Sequence, residues 1–549
     1  MRHLSRFTLL VSLALLVLFY GRSVHSIPEA NFTQRVSLRS NGSQANNHSD
    51  RPDISADGRY VAFASDATEL VSGDDNGARD IFVHDRQTGI TERVSLKSNG
   101  DEANFDSDGP TISDDGRYVA FYSFATNLHS NDTNGVADIF VHDRQTDETK
   151  LVNIVLGGRA NDISYDPDIS GNGQYITFWS FASNLVGGDN NLAADVFRYD
   201  QFGQTMFRVS LDSNGVEGNG PSSHPSISQD GRYIAFQSDA SNLASGDSGI
   251  YRDVFWHDMN TGQTQRGSVK DGGGEANGDS FDAAISANGR YVSFTSLAND
   301  ITNDSNPQRD IFLRDTQNST TSRISSVMGN VNIWETSSIS NNGRYISYRG
   351  RPSTNQPVPA CDDVVCEIFV YDRDTGTAVR ASVSSSGEKG DKDSFAPAVA
   401  ANGRYVAFSS SATNLVPNDT NDKRDIFVRD FLPAPTMSVN FATGKPGSFF
   451  FFEGTYYPAN TAVQVWINGV LLGNVTANGD GDVRFRLLSQ ANTDTGAYFV
   501  TIQSSLASAR TSFRLDNAAP LRADAGSGPL FVLPDGIAFT HFIYLPVVQ

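Results

Sequence analysis

The chain has 549 residues, enough for more than one domain, and its 38% hydrophobic against 19% charged residues supplies a sizeable core and excludes wholesale disorder. Forty-two Lys and Arg against 63 Asp and Glu leave a net charge of −21, which repels phosphate backbones and anionic membrane surfaces and argues against nucleic acid as a partner. With 48 Gly but only 5 Met and 2 Cys, the composition leans away from helical bundles and towards a turn-rich β protein.

Arg2 and Arg6 precede an apolar run from Phe7 to Tyr20, which is shorter than the roughly 20 residues a spanning helix needs. Val24 and Ser26 stand at the −3 and −1 positions of a signal cleavage site, so residues 1–26 read as a secretory signal. An uncleaved anchor is the alternative. A secreted or cell-envelope location follows, with no membrane span after cleavage. In that setting Cys361 and Cys366, close together in one loop, are expected to form a local disulfide.

From there to residue 430 the chain repeats itself. The pattern Ile-Ser-x-(Asp/Asn)-Gly-Arg-Tyr-(Val/Ile)-x-Phe recurs with small variations, with its glycine at Gly58, Gly116, Gly173, Gly231, Gly289, Gly343 and Gly403, a mean spacing of 57.5 residues. An Asp-Gly or Asn-Gly pair between apolar runs predicts a hairpin with a type I′ turn. A third strand follows in each repeat, for example DIFVHD at 80–85 and DIFVRD at 425–430, and a fourth in most, such as ERVSL at 92–96 and FRVSL at 207–211. Four strands per repeat at this period is the pattern of a propeller blade. The seventh repeat ends at Asp430 without a fourth strand, while one fourth strand, Gln34 to Leu38, stands alone before the first repeat. The expected fold is therefore all-β: a seven-bladed β-propeller over 27–430, closed by its N-terminal strand, plus a C-terminal β-sandwich.

The hairpin and the DIFVxD strand together resemble the WD-repeat-like propeller repeats of the TolB type, found in many exported bacterial proteins. The resemblance covers about residues 33–430. It implies a propeller fold, and leaves binding, scaffolding and catalysis all open as functions.

Between the second and third strands the repeats carry an acidic loop: Asp74, Asn76 and Asp80; Asp132, Asn134 and Asp138; Asp189, Asn191 and Asp195; Asp304, Asn306 and Asp310; Asp419, Asn421 and Asp425. The fourth repeat keeps Asp247 and Asp253, and the sixth has lost the pattern. The spacing resembles the core of dockerin-type and EF-hand-like calcium loops, and oxygens at alternate positions around a tight turn suit Ca²⁺. Two other readings stand beside it. The side chains can cap their own turn without any ion, and the terminal Asp can pair with a hairpin arginine (Arg59, Arg117 or Arg232).

The loop before each first strand feeds the central channel, and there the repeats diverge. Asp50, Arg51, Asp108, Asp166, His224, Asp282, Trp334 and Glu335 are the candidate ligand-binding residues at the channel mouth. No catalytic residue is assigned, since HExxH, GxSxG and Walker A motifs are missing from the sequence. Gly246-Asp247-Ser248-Gly249 imitates a protease nucleophile motif but occupies the acidic-loop position of repeat four. His84, His142 and His257 sit at equivalent places in different repeats and should lie far apart.

After a linker at 431–435, residues 436–516 alternate apolar and polar and resemble a bacterial immunoglobulin-like module without the antibody cysteine pair. Residues 517–549 form a tail that either sorts or docks the protein, or ends it as an edge strand on the sandwich. The expected function is that of a secreted, monomeric, non-catalytic propeller binding a protein or glycan. A carbohydrate-active hydrolase or lyase acting at the channel mouth is the alternative.

Overall fold

The computed structural model describes residues 32–534, apart from 156–157, 271, 303–308, 326–330, 353–364, 431–435, 456, 458–461, 479–481, 505–507 and 525–526. The expected signal segment, the linker and the end of the tail lie outside the described residues.

Blade 1 runs through Ser49–Ile54, Tyr60–Ser65, Asp80–Asp85 and Ile90–Arg93, here called strands a to d. They form one four-stranded sheet in sequence order, and blades 2 to 6 repeat it. Strand c is buried on both faces: Ile81, Phe82 and Val83 are all fully inaccessible, which is why it reads as a continuous apolar run rather than an alternating one. Phe63 of strand b stacks on Phe82 of strand c with centroids 5.9 Å apart, and the same stack recurs as Phe121–Phe140, Phe178–Phe197 and Phe236–Phe255. The cores straddle neighbouring blades, as where Phe63 and Phe82 pack with Ala407 and Val428.

The ring closes as expected. Blade 7 consists of Ser394–Val399, Tyr405–Ser410 and Asp425–Asp430, and Phe32–Arg35 adds its outer strand. The pairing is antiparallel, from Phe32 opposite Asp430 to Arg35 opposite Phe427. Each strand a touches the next around the ring, and strand a of blade 7 touches that of blade 1. The chain is thus a seven-bladed β-propeller without an open edge in the ring.

The a–b hairpin differs from the type I′ turn expected. Positive φ occurs at the glycine and not at the residue before it, and Gly58 N–H donates to Ser55 O at 2.8 Å. That is a type I turn closed by a left-handed glycine. The glycine answers a second demand as well. A Cβ on Gly58 would lie 2.2 Å from the Tyr405 ring, one on Gly116 would lie 2.1 Å from Tyr60, and one on Gly173 would lie 2.2 Å from Tyr118. Each hairpin glycine therefore seats the tyrosine of the preceding blade. The arginine between them, Arg59, Arg117 or Arg232, holds the closing acid of its own strand c, with Nη2 2.7, 2.6 and 2.7 Å from Asp85, Asp143 and Asp258. The alternative pairing with the first acid of that strand is not made, because Arg59 stands next to Tyr60, which lies opposite Asp85 and a strand's length from Asp80.

A third hairpin, built on Ser-Asn-Gly, follows the outer strand in several repeats, bridged as in Leu96 to Glu102. Its serine reaches the next blade: Ser98 Oγ accepts from Thr149 N at 3.0 Å, and Thr149 Oγ1 donates to Leu96 O. The three histidines belong to these clasps. His84, His142 and His257 each bond the threonine of their own strand d, at 2.8, 2.9 and 2.8 Å, in three separate blades.

A second unit packs two sheets face to face. One joins Thr436–Val439, Phe449–Thr455, Val483–Leu488 and Leu530–Val532; the other joins Thr443–Gly444, Ser508–Leu515, Gly496–Gln503, Ala462–Ile467 and Val470–Thr476. Phe450, Phe452, Phe485, Tyr498 and Phe513 fill the space between them. Leu530–Val532 runs parallel to Val483–Leu488 and Leu533 is fully buried, so this part of the tail is an edge strand of the sandwich.

Two measurements check this account. Arg35 lies 3.0 Å from Asp419 and 3.1 Å from Asp425, all three buried. Arg35→Met should lower the unfolding free energy by roughly 3 kcal/mol in denaturant titration, because two buried carboxylates lose their counter-charge. Gly89 and Gly173 share a φ of +73, but a Cβ on Gly89 meets nothing within 4 Å. Gly173→Ala should therefore cost about 1–3 kcal/mol more than Gly89→Ala, the excess measuring the ring contact alone.

Candidate functional site

Strand a carries a bulge, with the register shifting between Asp50 and Asp53 in blade 1 and at the same place in the other blades. The bulged residue is left-handed: Arg51 at φ 49, Asp166 at 48, His224 at 50 and Asp282 at 53. A bulge re-aims a side chain at some cost in backbone strain, and here it does so at most of the positions where the repeats diverge.

These side chains meet in a network around the mouth. Asp50 pairs with Arg424 of blade 7 and accepts from Ser409 Oγ at 2.6 Å. Asp108 lies 3.3 Å from Arg79 and 3.8 Å from Arg51. Asp166 accepts from Trp179 Nε1 at 2.7 Å and lies 3.6 Å from His224 Nε2. Gln237 bridges His224 Nδ1 at 3.1 Å to the Asp282 backbone N–H at 3.1 Å. Burial pushes the Asp282 carboxyl above the usual carboxylate range, although His224 and Arg309 pull it the other way. Arg349 and Arg424 lie over the Phe395 ring at 4.2 and 4.1 Å and carry the network across blades 6 and 7. Of the candidate mouth residues, Trp334 and Glu335 lie on strand a of blade 6, and their side chains are outside the described residues.

Sequence reasoning missed half of this surface. Tyr122, Trp179 and Gln237 come from strand b, opposite Asp108, Tyr165 and Ser223. Arg79, Arg252 and Arg424 each precede strand c. One sector is aromatic. Tyr122, Tyr165 and Trp179 pack with centroids 5.1 and 5.4 Å apart, and Phe124 and Phe181 flank them at 37% and 44% exposure. The available signal was divergence at one fixed position of strand b, occupied by Ala64, Tyr122, Trp179, Gln237, Thr295, Arg349 and Ser409.

Below the mouth, Asp53 accepts from Ile112 N at 2.7 Å and Asp168 from Ile227 N at 2.8 Å, each across a blade boundary. Thr111 Oγ1 stands between them, 3.1 Å from Asp53 and 3.2 Å from Asp168. Burial, with Asp168 nearby, pushes Asp53 up to about 6. These acids stitch the channel wall.

The acidic loops lie on the same side of the ring, farther out, and those of blades 1, 3, 4, 5 and 7 close on an arginine of the outer strand. Arg93 lies 3.3, 3.1 and 2.8 Å from Asp74, Asp80 and Glu102. Arg208 lies 3.3, 3.5 and 2.5 Å from Asp189, Asp195 and Glu217. Arg266 holds Asp253 at 2.9 Å in blade 4, Arg323 holds Asp310 at 3.3 Å in blade 5, and Arg35 takes this place in blade 7. Asp304 and Asn306 lie outside the described residues. The asparagines cap the turn: Asn76 Oδ1 accepts from Ala78 N at 2.7 Å, while Nδ2 faces Asp80 at 3.3 Å. Asn191 and Asn421 repeat this, with Oδ1 2.8 and 3.1 Å from the backbone N–H of Ala193 and Lys423. Carboxylate oxygens of Asp189, Asp195 and Glu217, and of Asp247, Asp253 and Glu275, lie within 4.8 Å of one another and are acidic groups able to hold a metal; in both an arginine adjoins them. Cys366 is disulfide-bonded, and Cys361, the chain's only other cysteine, lies outside the described residues.

No family model matches the chain, and no curated protein matches it. Solved structures similar to it include an oligogalacturonate lyase in complex with manganese, at 12% identity over 72% of this chain and 92% of that one, with a TM-score of 0.45. An oligogalacturonate lyase from Vibrio parahaemolyticus is similar at 11% identity over 72% and 93%, with a TM-score of 0.44. A TolB-type protein from Agrobacterium tumefaciens is similar at 16% identity over 62% and 94%, with a TM-score of 0.34. Likeness at this level assigns no activity.

The clasp histidines make the fold sensitive to acid. Burial pushes His84 and His257 down to about 4. An unfolded histidine protonates near 6.5, so the stability they contribute is complete above that pH and is lost as pH falls from about 6.5 towards 4. In urea titrations at pH 7 and 4.5, His257→Asn should lose less stability between the two pH values than the unsubstituted protein.

Proposed function

We propose that this propeller is a secreted, non-catalytic binding protein whose aromatic sector, at the mouth of blades 2 to 4, takes a glycan. The observation that carries the reading is that sector itself. Tyr122, Tyr165 and Trp179 are packed against one another and Trp179 is held by Asp166, so the aromatic surface is formed before any ligand arrives. Carboxylates and arginines alternate around it, which offers acceptors and donors to hydroxyl groups without a strong net field. Export is supported by the signal-like residues 1–26 and by the disulfide at Cys366. Calcium at the acidic loops is supported only where no arginine occupies them. The sandwich serves as a spacer or attachment module.

One observation favours the catalytic alternative. Asp282, with its carboxyl held above the usual range, stands near His224 and Asp166, an arrangement suited to proton transfer in a carbohydrate-active hydrolase or lyase.

A glycan array probed with the purified protein should give a defined set of binders, and Trp179→Ala should weaken them at least tenfold while leaving the melting temperature within a few degrees. A silent glycan array together with a binder on a peptide array would move the ligand class to protein. Cleavage of the bound glycan, abolished by Asp282→Asn, would instead make the protein an enzyme.

A further inference from the structure

Blade 2 departs from its neighbours in two coupled positions. Where blades 1, 3, 4 and 7 carry Arg93, Arg208, Arg266 and Arg35, blade 2 carries Leu151. Where blades 1, 3 and 4 carry Glu102, Glu217 and Glu275, blade 2 carries Arg159. The loop acids are nevertheless both present. Asp132 is 2% exposed and Asp138 fully buried. Both carboxylate oxygens of Asp132 and Oδ2 of Asp138 are buried without a hydrogen bond of good geometry, Asn134 being the donor nearest to both acids, and Asn153 Nδ2 donates to Oδ1 of Asp138 and to Ser164 Oγ. Arg159 does not take the missing place: it is exposed, and its Nη1 donates to Thr133 Oγ1, so its charge reaches the acids only from the rim.

Two buried carboxylates without a counter-ion cost several kcal/mol each unless something neutralises them. Four sister blades show what does so at this spot, a cation held by the same acids at 2.9–3.5 Å at its nearest contacts. We propose that blade 2 binds a hard divalent cation such as Ca²⁺ between Asp132 and Asp138, in the place a guanidinium fills in blades 1, 3, 4 and 7. These three buried carboxylate oxygens are the anionic ligands. The carbonyl of Asn131 stands in register with that of Gly73, which accepts from Arg93 at 2.8 Å, and water completes the shell. Calcium takes its oxygens at about 2.3–2.6 Å, closer than the guanidinium contacts of the sister blades, so the acids draw in around the ion. Burial and the adjacent Asp138 push Asp132 up to about 7, the state expected of this pair before a cation arrives. The other loops, each with an arginine in place, take up no calcium under this reading.

The full chain, stripped with EDTA and dialysed, is titrated with CaCl₂ by calorimetry and with Tb³⁺ by luminescence, to about 5 mM, several times the roughly 1 mM dissociation constant of the weakest extracellular calcium sites. One equivalent should bind and raise the melting temperature. Leu151→Arg with Arg159→Glu writes the blade 1 arrangement into blade 2; this variant should bind no cation and melt higher than the unsubstituted protein in EDTA. Asp132→Asn, a conservative change, should also abolish uptake and so covers a misfolded double variant. Absence of Ca²⁺ and Tb³⁺ binding by the unsubstituted protein would overturn the proposal and leave a proton shared by the two acids. Uptake that persists in both variants would overturn it as well, by placing the ion elsewhere.

Discussion

The structure depends on the meeting of the first strand with the last blade. A propeller blade buries both faces of its sheet against neighbours, so an open ring would expose Ile81-type and Phe82-type surfaces at both ends of the array. Phe32–Arg35 removes that opening by hydrogen bonding to Asp425–Asp430. Arg35 and Ser37 then add the contacts that an outer strand makes in other blades, the arginine to Asp419 and Asp425 and the serine to Asp425 at 2.6 Å. The closure is chemical as well as geometric: the last blade's buried acids find their cation almost four hundred residues upstream, a separation of 390 in sequence for Arg35 and Asp425.

The excess of acid acquires a structural meaning from the same pattern. Most blades repeat two arginine–carboxylate motifs on opposite sides of the ring, with Gln174 in place of the first arginine in blade 3 and Leu151 in place of the second in blade 2. On one side an arginine such as Arg59 holds the end of strand c; on the mouth side an arginine such as Arg93 holds its beginning together with the loop acids. Several carboxylates around one guanidinium leave a surplus of negative charge per blade, and much of the net −21 arises in this way. Inter-blade hydrogen bonds, from Thr149 to Leu96 and from Ile112 to Asp53, tie rigid blades to one another inside and out. A rigid ring is a suitable carrier for a mouth whose side chains differ from blade to blade, because variation there does not disturb the repeated scaffold.

The blade count, the closing strand and the outline of the mouth were legible in the residues themselves. A hairpin glycine repeated seven times, a strand pattern of fixed order and one unpaired strand text at Gln34 to Leu38 admit a single closed arrangement. The mouth candidates Asp50, Arg51, Asp108, Asp166, His224 and Asp282 were found because divergence at one fixed point of a repeat marks a surface freed from the scaffold. Local turn chemistry was less legible. Asp-Gly suits a type I′ turn, but Ser55 Oγ and the Gly58 N–H bond select a type I turn with the glycine beyond it.

Sequence by itself therefore determined the architecture, since periodic hydrophobicity and turn residues act over a few residues and repeat. Tertiary structure decided which charges neutralise which. Arg59 and Arg93 are equally plausible partners for Asp80 on paper, and only the antiparallel register of strands b, c and d sends one to each end of strand c. Tyr122, Trp179, Arg349 and Arg424 join the mouth for the same reason: they are carried there by neighbouring strands and blades, as in the contact of Arg424 with Asp50 across 374 residues. Coulomb attraction and ring contact depend on distance in space, and that distance exists only once the seven blades have closed.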